Sequence, residues 1–299
     1  MPKKPNLFLI GAMKSGTTTL HELLAVHPEI AMSEPKEPCY FVDAGLLKTL
    51  WPEMWRMAFW RSEAAYLAIF PDKPGARYVG ESSTDYSKRP KIDGVVERIA
   101  AFNPDARFLY VMRDPIDRTL SHYWHMVEHR GETRAPLEAI IADPHYIEVS
   151  HYADQLQPYI DRFGRERVHA LTFEELTRAP QPTVRTVYAW LGVDAEFVPQ
   201  GLRAAHNVTP ERVRQKRAGM GLLDRIRHSA AWDAIGRYCP ASVRKLGVAM
   251  VEKSIPRRNV DMSELIAYLR PLQQAQTRVL EQQLGRHFPE WTTLWDTKA

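Results

Sequence analysis

An unbroken apolar run at residues 7–10, Leu-Phe-Leu-Ile, has the length and character of a buried strand. Behind it, past a glycine-rich turn, Leu20, Leu23 and Leu24 recur at helical spacing. The pattern predicts strand, glycine loop, helix. The helix closes at His27-Pro28, because the residue before a proline disfavours helical geometry. Ile30-Ala-Met32 predicts a short second strand, leading into the proline-bracketed Ser33-Glu-Pro-Lys-Glu-Pro38. Residues 46–70, rich in Trp, Met and Tyr, predict helices packed over a sheet. Tyr78-Val-Gly80 predicts another strand, and residues 95–102 a helix stopped by Asn103-Pro104. Residues 107–112, Arg-Phe-Leu-Tyr-Val-Met, form the strongest strand pattern of the chain. Arg113-Asp-Pro115 opens the next helix, with proline where a first helical turn tolerates it. Further on, residues 155–163 predict a helix, 168–172 a strand, and 182–191 a helix with Gly192 just past its end. Beyond Phe197 strand patterning is missing, and residues 263–284 predict a long amphipathic helix that packs back on the rest.

Alternating strands and helices imply a parallel sheet covered on both faces. The expectation is a P-loop-type three-layer α/β fold with a mainly helical C-terminal segment. No repeat or low-complexity linker divides the chain, so one domain over residues 1–299 is expected: a core at about 6–195, then loop and helices at about 196–299. A hydrophobic share of 44 % with 25 % charged residues excludes disorder and coiled coil. No apolar run approaches the about 18 residues needed to cross a bilayer, and the N-terminus shows no signal-peptide cleavage pattern. Cys39 and Cys239 are the only cysteines, which excludes a disulfide framework and makes a reducing, cytoplasmic location the expectation. The net charge is +4, but residues 201–260 alone carry +9. That excess suits a polyanionic ligand, an anionic membrane surface or a solvated helical face, and composition does not choose among them.

The chemistry begins at Gly11-Ala-Met-Lys-Ser-Gly-Thr-Thr-Thr19. A strand feeding a glycine turn aims several backbone N–H groups at one point, beside a helix N-terminus with partial positive charge. The nucleotide-triphosphatase form places lysine after the second glycine. In this chain Gly11 and Gly16 keep the spacing, but Lys14 lies inside the loop and Thr17, Thr18 and Thr19 follow the second glycine. The strand at 107–112 ends in Arg113 where such an enzyme needs a metal-binding acid, and Asp114 comes only after it. An arginine there suits a second phosphate. Arg118 and Ser121, three apart, share a face of the following helix.

These two motifs together resemble the sulfotransferases that use 3′-phosphoadenosine 5′-phosphosulfate (PAPS). Lys14-Ser-Gly-Thr-Thr-Thr-Leu20 is similar to the family's 5′-phosphosulfate loop, and residues 111–123 are similar to its 3′-phosphate motif. Residues 168–176 and 187–192 also match, so the resemblance runs from about residue 6 to 192. It implies that Lys14, Ser15, Gly16, Thr17, Thr18 and Thr19 hold the 5′ end of the nucleotide and that Arg113 and Ser121 hold its 3′-phosphate. Lys36-Glu-Pro-Cys-Tyr-Phe41 resembles the segment that carries a catalytic glutamate in the heparan sulfate and bacterial branch, which falls on Glu37. Ser82, in Glu81-Ser-Ser-Thr84, stands where that branch carries a lysine, which weakens any transfer of glycosaminoglycan specificity.

The mechanism so implied is transfer of the sulfuryl group to a hydroxyl or amine. Lys14 stabilises the leaving phosphate, Glu37 acts as general base, the product is 3′,5′-adenosine bisphosphate, and no metal is needed. Histidine is the usual base in the cytosolic small-molecule branch, so His122, His125 and His151 are the other candidates. Glu81 either lines the acceptor cleft or pairs with an arginine. The basic stretch at 206–217 occupies the place of a loop closing over the nucleotide, with Arg217 a cofactor contact and Arg212 and Lys216 as alternatives. Cys39 reads as a buried cysteine, and the aromatic cluster Trp51, Trp55, Phe59, Trp60, Tyr66 and Phe70 as core packing or an acceptor wall. The acceptor is a small molecule, carbohydrate or lipid, with no nucleic-acid partner, peripheral membrane contact left open and no indication of oligomeric state. Two rivals remain: a kinase or NTPase using ATP and Mg²⁺, and a non-catalytic basic protein that binds membranes or nucleic acid on the same fold.

Overall fold

The computed structural model describes residues 4–199, 212–216 and 252–296. Five parallel strands form its main sheet: β1 (Leu7–Gly11), β2 (Ile30–Met32), β3 (Tyr78–Ser82), β4 (Arg107–Met112) and β5 (Val168–Thr172), in the spatial order β2-β3-β1-β4-β5. Strand β1, and β4 after Arg107, are apolar because both faces of the sheet are covered. Phe8 and Ile10 of β1 join Phe108, Tyr110 and Met112 of β4 in one core, while Leu7 and Leu9 join Leu109 and Val111 in the other. The second core is closed by α1 (Thr17–Ala25) and, after β5, by a helix at Pro180–Leu191, through Leu20, Leu24, Val184, Val187 and Tyr188. To the first core α2 (Val95–Phe102), α3 (Pro115–His129) and α4 (Tyr152–Phe163) give Ile99, Ile116 and Leu156. The helix after Pro180 is α5, and α6 (Ser263–Leu284) packs Leu265 and Leu269 into the first core. This is the expected three-layer α/β fold.

Several boundaries move for local reasons. Helix α5 starts at Pro180 and not at 182, since proline at the first helical position loses no hydrogen bond. Strand β3 runs on to Ser82 because it follows β1 in register, Leu9 opposite Ser82. The aromatic segment makes three short helices, Ala44–Leu50, Pro52–Met57 and Glu63–Leu67. One expectation is corrected. Beyond Phe197 there is strand: β6 (Arg212–Lys216) pairs antiparallel with β7 (Glu252–Pro256), and Val213, fully buried, anchors the pair in the first core. Its pattern is hard to see because Val213 is a single apolar residue between charged neighbours and its partner lies about forty positions on.

Two glycines of the loop after β1 are sterically required. A Cβ on Gly11 would stand 2.2 Å from Ser87 Oγ and 2.6 Å from the Tyr110 ring. Gly16 has φ 84°, and a Cβ there would meet the Phe173 ring at 2.7 Å. The chain leaves β1 toward β2 on one side, then returns to place β4 on the other. The crevice outside the C-terminal ends of β1 and β4 is therefore the switch point where open α/β sheets bind ligands. Residues 11–17 and 113–115 leave the sheet there.

Candidate functional site

A cavity of about 560 Å³ opens at this switch point. Lys14, Gly16, Thr17, Thr18, Thr19, Glu37, Arg113 and Ser121 all line it. Ser15 does not: it is fully buried under the loop, and its Oγ has no partner. Helix α1 begins at the cavity without a side-chain cap, so its first-turn N–H groups and its dipole face an incoming anion. Lys14 and Glu37 both adopt the left-handed backbone conformation, φ 69° and 61°. Such conformations cost free energy in a non-glycine residue and concentrate at functional sites. The Lys14 ammonium lies below the usual lysine range, first because of burial and then because of Arg113, with Arg257 adding a smaller repulsion. An anion would relieve that repulsion.

Beside the loop, the Arg113 guanidinium lies over the Phe173 ring, 4.9 Å from its centroid, and Nη1 donates to Lys14 O at 3.4 Å. Its Nε is buried with no partner, as is the hydroxyl of Ser121 one helix away on α3. Buried polar groups are ordinarily hydrogen-bonded, and two unpaired donors on one cavity mark a place built for a ligand's acceptors. Asp114 is spent elsewhere. Its carboxylate caps α3 at Ile116 N and Asp117 N and accepts from Leu294 N at 2.9 Å, which ties the C-terminal segment to the site.

Glu37 is held from three sides. Its N–H donates to Ser82 O at 2.8 Å, Thr84 N donates to Oε2 at 2.8 Å, and Lys36 Nζ donates to Oε1 at 2.7 Å. Both Lys36 and Thr84 line the cavity. Lys36 escapes attention in sequence because it precedes a more suggestive residue. Lys88 also lines the cavity, but it is buried in an ion pair with Asp85.

Glu81 neither lines the cavity nor pairs with an arginine. It is fully buried and accepts from the hydroxyls of Tyr66 (2.5 Å), Tyr86 (2.8 Å) and Ser83 (2.7 Å). Burial raises its carboxyl to about 7, against hydrogen bonds that lower it. A folded-state value above the unfolded one favours the folded protein at low pH. Glu81 therefore withdraws about 3 kcal/mol of stability as pH rises from 4.5 through 7. Urea unfolding at pH 5 and pH 8 is expected to show wild type losing more stability than Glu81→Gln over that interval. Equal losses would mean that Glu81 is ionised throughout. Ser82 is buried as well, its hydroxyl 2.7 Å from His21 Nδ1.

The histidines separate. His125 lines the cavity, lowered to about 3 by burial and then by Lys14. His122 is buried beside Arg118, and burial puts it well below the usual histidine range. His151 sits 3.6 Å from Asp154, away from the cavity. Arg118, expected on the Ser121 face, is fully buried inside the fold, where it donates to Ser150 Oγ and Tyr146 O. Cys39 is buried, as expected. Of the aromatic cluster, Trp51 reaches the cavity, whereas Tyr66 is core and Trp55 stacks on Trp60 at 5.5 Å. Arg217 lies outside the described residues, as does most of the basic block, and Arg212 and Lys216 stand on β6. Arg257, just after β7, was not anticipated. It lies over the Trp124 ring with its Nε buried and unpartnered, close enough to Lys14 and Arg113 to repel both. Among the described residues no helix is long and apolar enough to cross a membrane, and no group of His, Cys, Asp or Glu is placed to hold a metal.

The model of the sulfotransferase family matches residues 5–197. A sulfotransferase from Alicyclobacillus acidocaldarius superimposes with a TM-score of 0.65 at 28 % identity, covering 97 % of this chain and 99 % of its own. Among curated relatives, the heparan sulfate glucosamine 3-O-sulfotransferase 5 of Mus musculus is 24 % identical over 201 residues, 63 % of this chain and 54 % of that protein. The membrane-associated sulfotransferase kil1 of Dictyostelium discoideum is 27 % identical over 132 residues, 44 % of this chain and 25 % of that protein. The chain thus spans about half or less of these curated relatives.

Proposed function

The chain belongs to the sulfotransferase family, and on that premise we propose that it moves the sulfuryl group of PAPS to a hydroxyl or amine of a small-molecule, carbohydrate or lipid acceptor. The observation that carries the reading is the pair of unpartnered buried donors, Arg113 Nε and Ser121 Oγ, on the same cavity as Lys14 and the uncapped start of α1. That arrangement fits an anion at each end of one ligand. The 5′ end lies against Lys14, Thr17, Thr18 and the α1 N-terminus, and the 3′-phosphate lies against Arg113 and Ser121. Thr19 and Phe173 line the same cavity. In this reading residues 1–299 act as one domain, with the C-terminal segment bracing the 3′-phosphate loop through the Leu294–Asp114 contact.

PAPS carries an already activated group, so the protein's work is to position, neutralise and deprotonate. Lys14 and the helix start stabilise charge on the leaving phosphate, and Glu37 takes the proton of the attacking acceptor. The end of β4 speaks against the ATP and Mg²⁺ alternative, since the acid there, Asp114, is committed to a helix cap. Calorimetry with 3′,5′-adenosine bisphosphate in EDTA tests the donor. Tight binding is expected, and Arg113→Ala is expected to weaken it by about 10–100-fold, the worth of a charge-assisted contact. Metal-dependent ATP binding with none for the bisphosphate would overturn the reading.

A further inference from the structure

Lys36 has a position that the mechanism above does not use. Its ammonium stands 2.7 Å from Glu37 Oε1 and 3.4 Å from Thr17 Oγ1. One cation therefore touches the first residue of α1, where the leaving phosphate is read to lie, and the carboxylate read to receive the acceptor's proton. In an in-line transfer the sulfur lies between those two groups, and Lys36 spans the same gap. The other lysines of the cavity do not. Lys14 reaches from the loop beneath the phosphate end, and Lys88 is buried against Asp85. The Lys36 side chain is 21 % exposed, so its charge is partly shielded from water yet open to the cavity.

We propose that Lys36 is a substrate-contacting residue whose ammonium holds a non-bridging oxygen of the transferring sulfuryl group while keeping Glu37 aimed at the acceptor. The assignment rests on PAPS being the donor. The step balances without a further reactant. The acceptor oxygen or nitrogen forms a bond to sulfur, and the sulfur–oxygen bond to the 5′-phosphate breaks, its electron pair going to the phosphate oxygen. The acceptor's proton passes to Glu37, and Lys36 keeps its own throughout. A fixed cation at the sulfuryl oxygens lowers the cost of crowding the anionic group between phosphate and carboxylate.

The competing account is that Lys36 merely neutralises Glu37, its neighbour in sequence. Calorimetric titration of the full chain with PAPS and with 3′,5′-adenosine bisphosphate, which lacks the sulfuryl group, separates the two. Lys36→Met is expected to bind PAPS about tenfold more weakly than wild type, with bisphosphate affinity within about twofold and Lys36→Arg within about threefold for both. A Lys36→Met chain that weakens on both nucleotides alike, or on neither, overturns the assignment and leaves the donor reading standing. Wild type that binds neither nucleotide removes the donor reading and the Lys36 assignment with it.

Discussion

Truncating Lys14 to alanine is expected to lower turnover by about 10²–10³-fold, the usual loss when one preorganised donor to a developing charge is removed. In sulfuryl transfer the charge that grows in the transition state sits on the oxygen leaving with the 5′-phosphate. Lys14 stands in the loop that leads into that end, held in a left-handed conformation and repelled by Arg113. Because negative charge grows on that oxygen as the phosphate departs, the interaction with the ammonium strengthens in the transition state. The loss should therefore fall mainly on kcat, with bisphosphate affinity reduced by at most about tenfold. Radiolabelled sulfate transferred from PAPS to an acceptor, found by screening sugar, lipid, phenol and amine classes, gives the rate. A variant with normal kcat would place the leaving-group cation elsewhere, with Arg257 the next residue to replace.

The loop containing Lys14 was legible because its signals are local. Leu7–Ile10, Gly11, Gly16 and the threonines lie within thirteen residues, and the turn they impose lines one side of the cavity. Arg113 was equally legible, since a strand end fixes where the residue after it must stand. Contacts made across the fold were not. Glu81 sits on the strand end as plainly as Arg113 does, yet Tyr66 and Tyr86 turn it into a core carboxyl. Arg118 shares the Ser121 face by spacing, but Tyr146, on the short helix His145–Glu148, and Ser150, in the turn after it, enclose it. Arg257 comes near Lys14 and Arg113 because β7 pairs with β6 and β6 anchors in the core through Val213. Helical and strand periods report which residues share a face. They do not report which element will cover that face.

Exchanging the Glu37 carboxylate for an amide is expected to remove turnover by about 10²–10⁴-fold while bisphosphate affinity stays within about twofold. Gln keeps an oxygen for the Thr84 N–H and gives up the ion pair to Lys36, whose own contact to Thr17 Oγ1 does not involve the carboxylate, so the ligand-binding half of the cavity keeps its side chains. What is lost is the proton acceptor, together with the negative charge that pairs with Lys36. His125 is the one histidine candidate that lines the cavity, where burial and then the Lys14 charge lower its imidazole to about 3. The two candidates therefore separate in one experiment. Turnover lost in Glu37→Gln and kept in His125→Asn places the proton on the carboxylate. The opposite result would assign it to the imidazole and reduce Glu37 to a partner that orients Lys36. Full activity in both variants would mean that neither side chain takes the proton. The acceptor would then attack already deprotonated, or pass its proton to water at the cavity mouth.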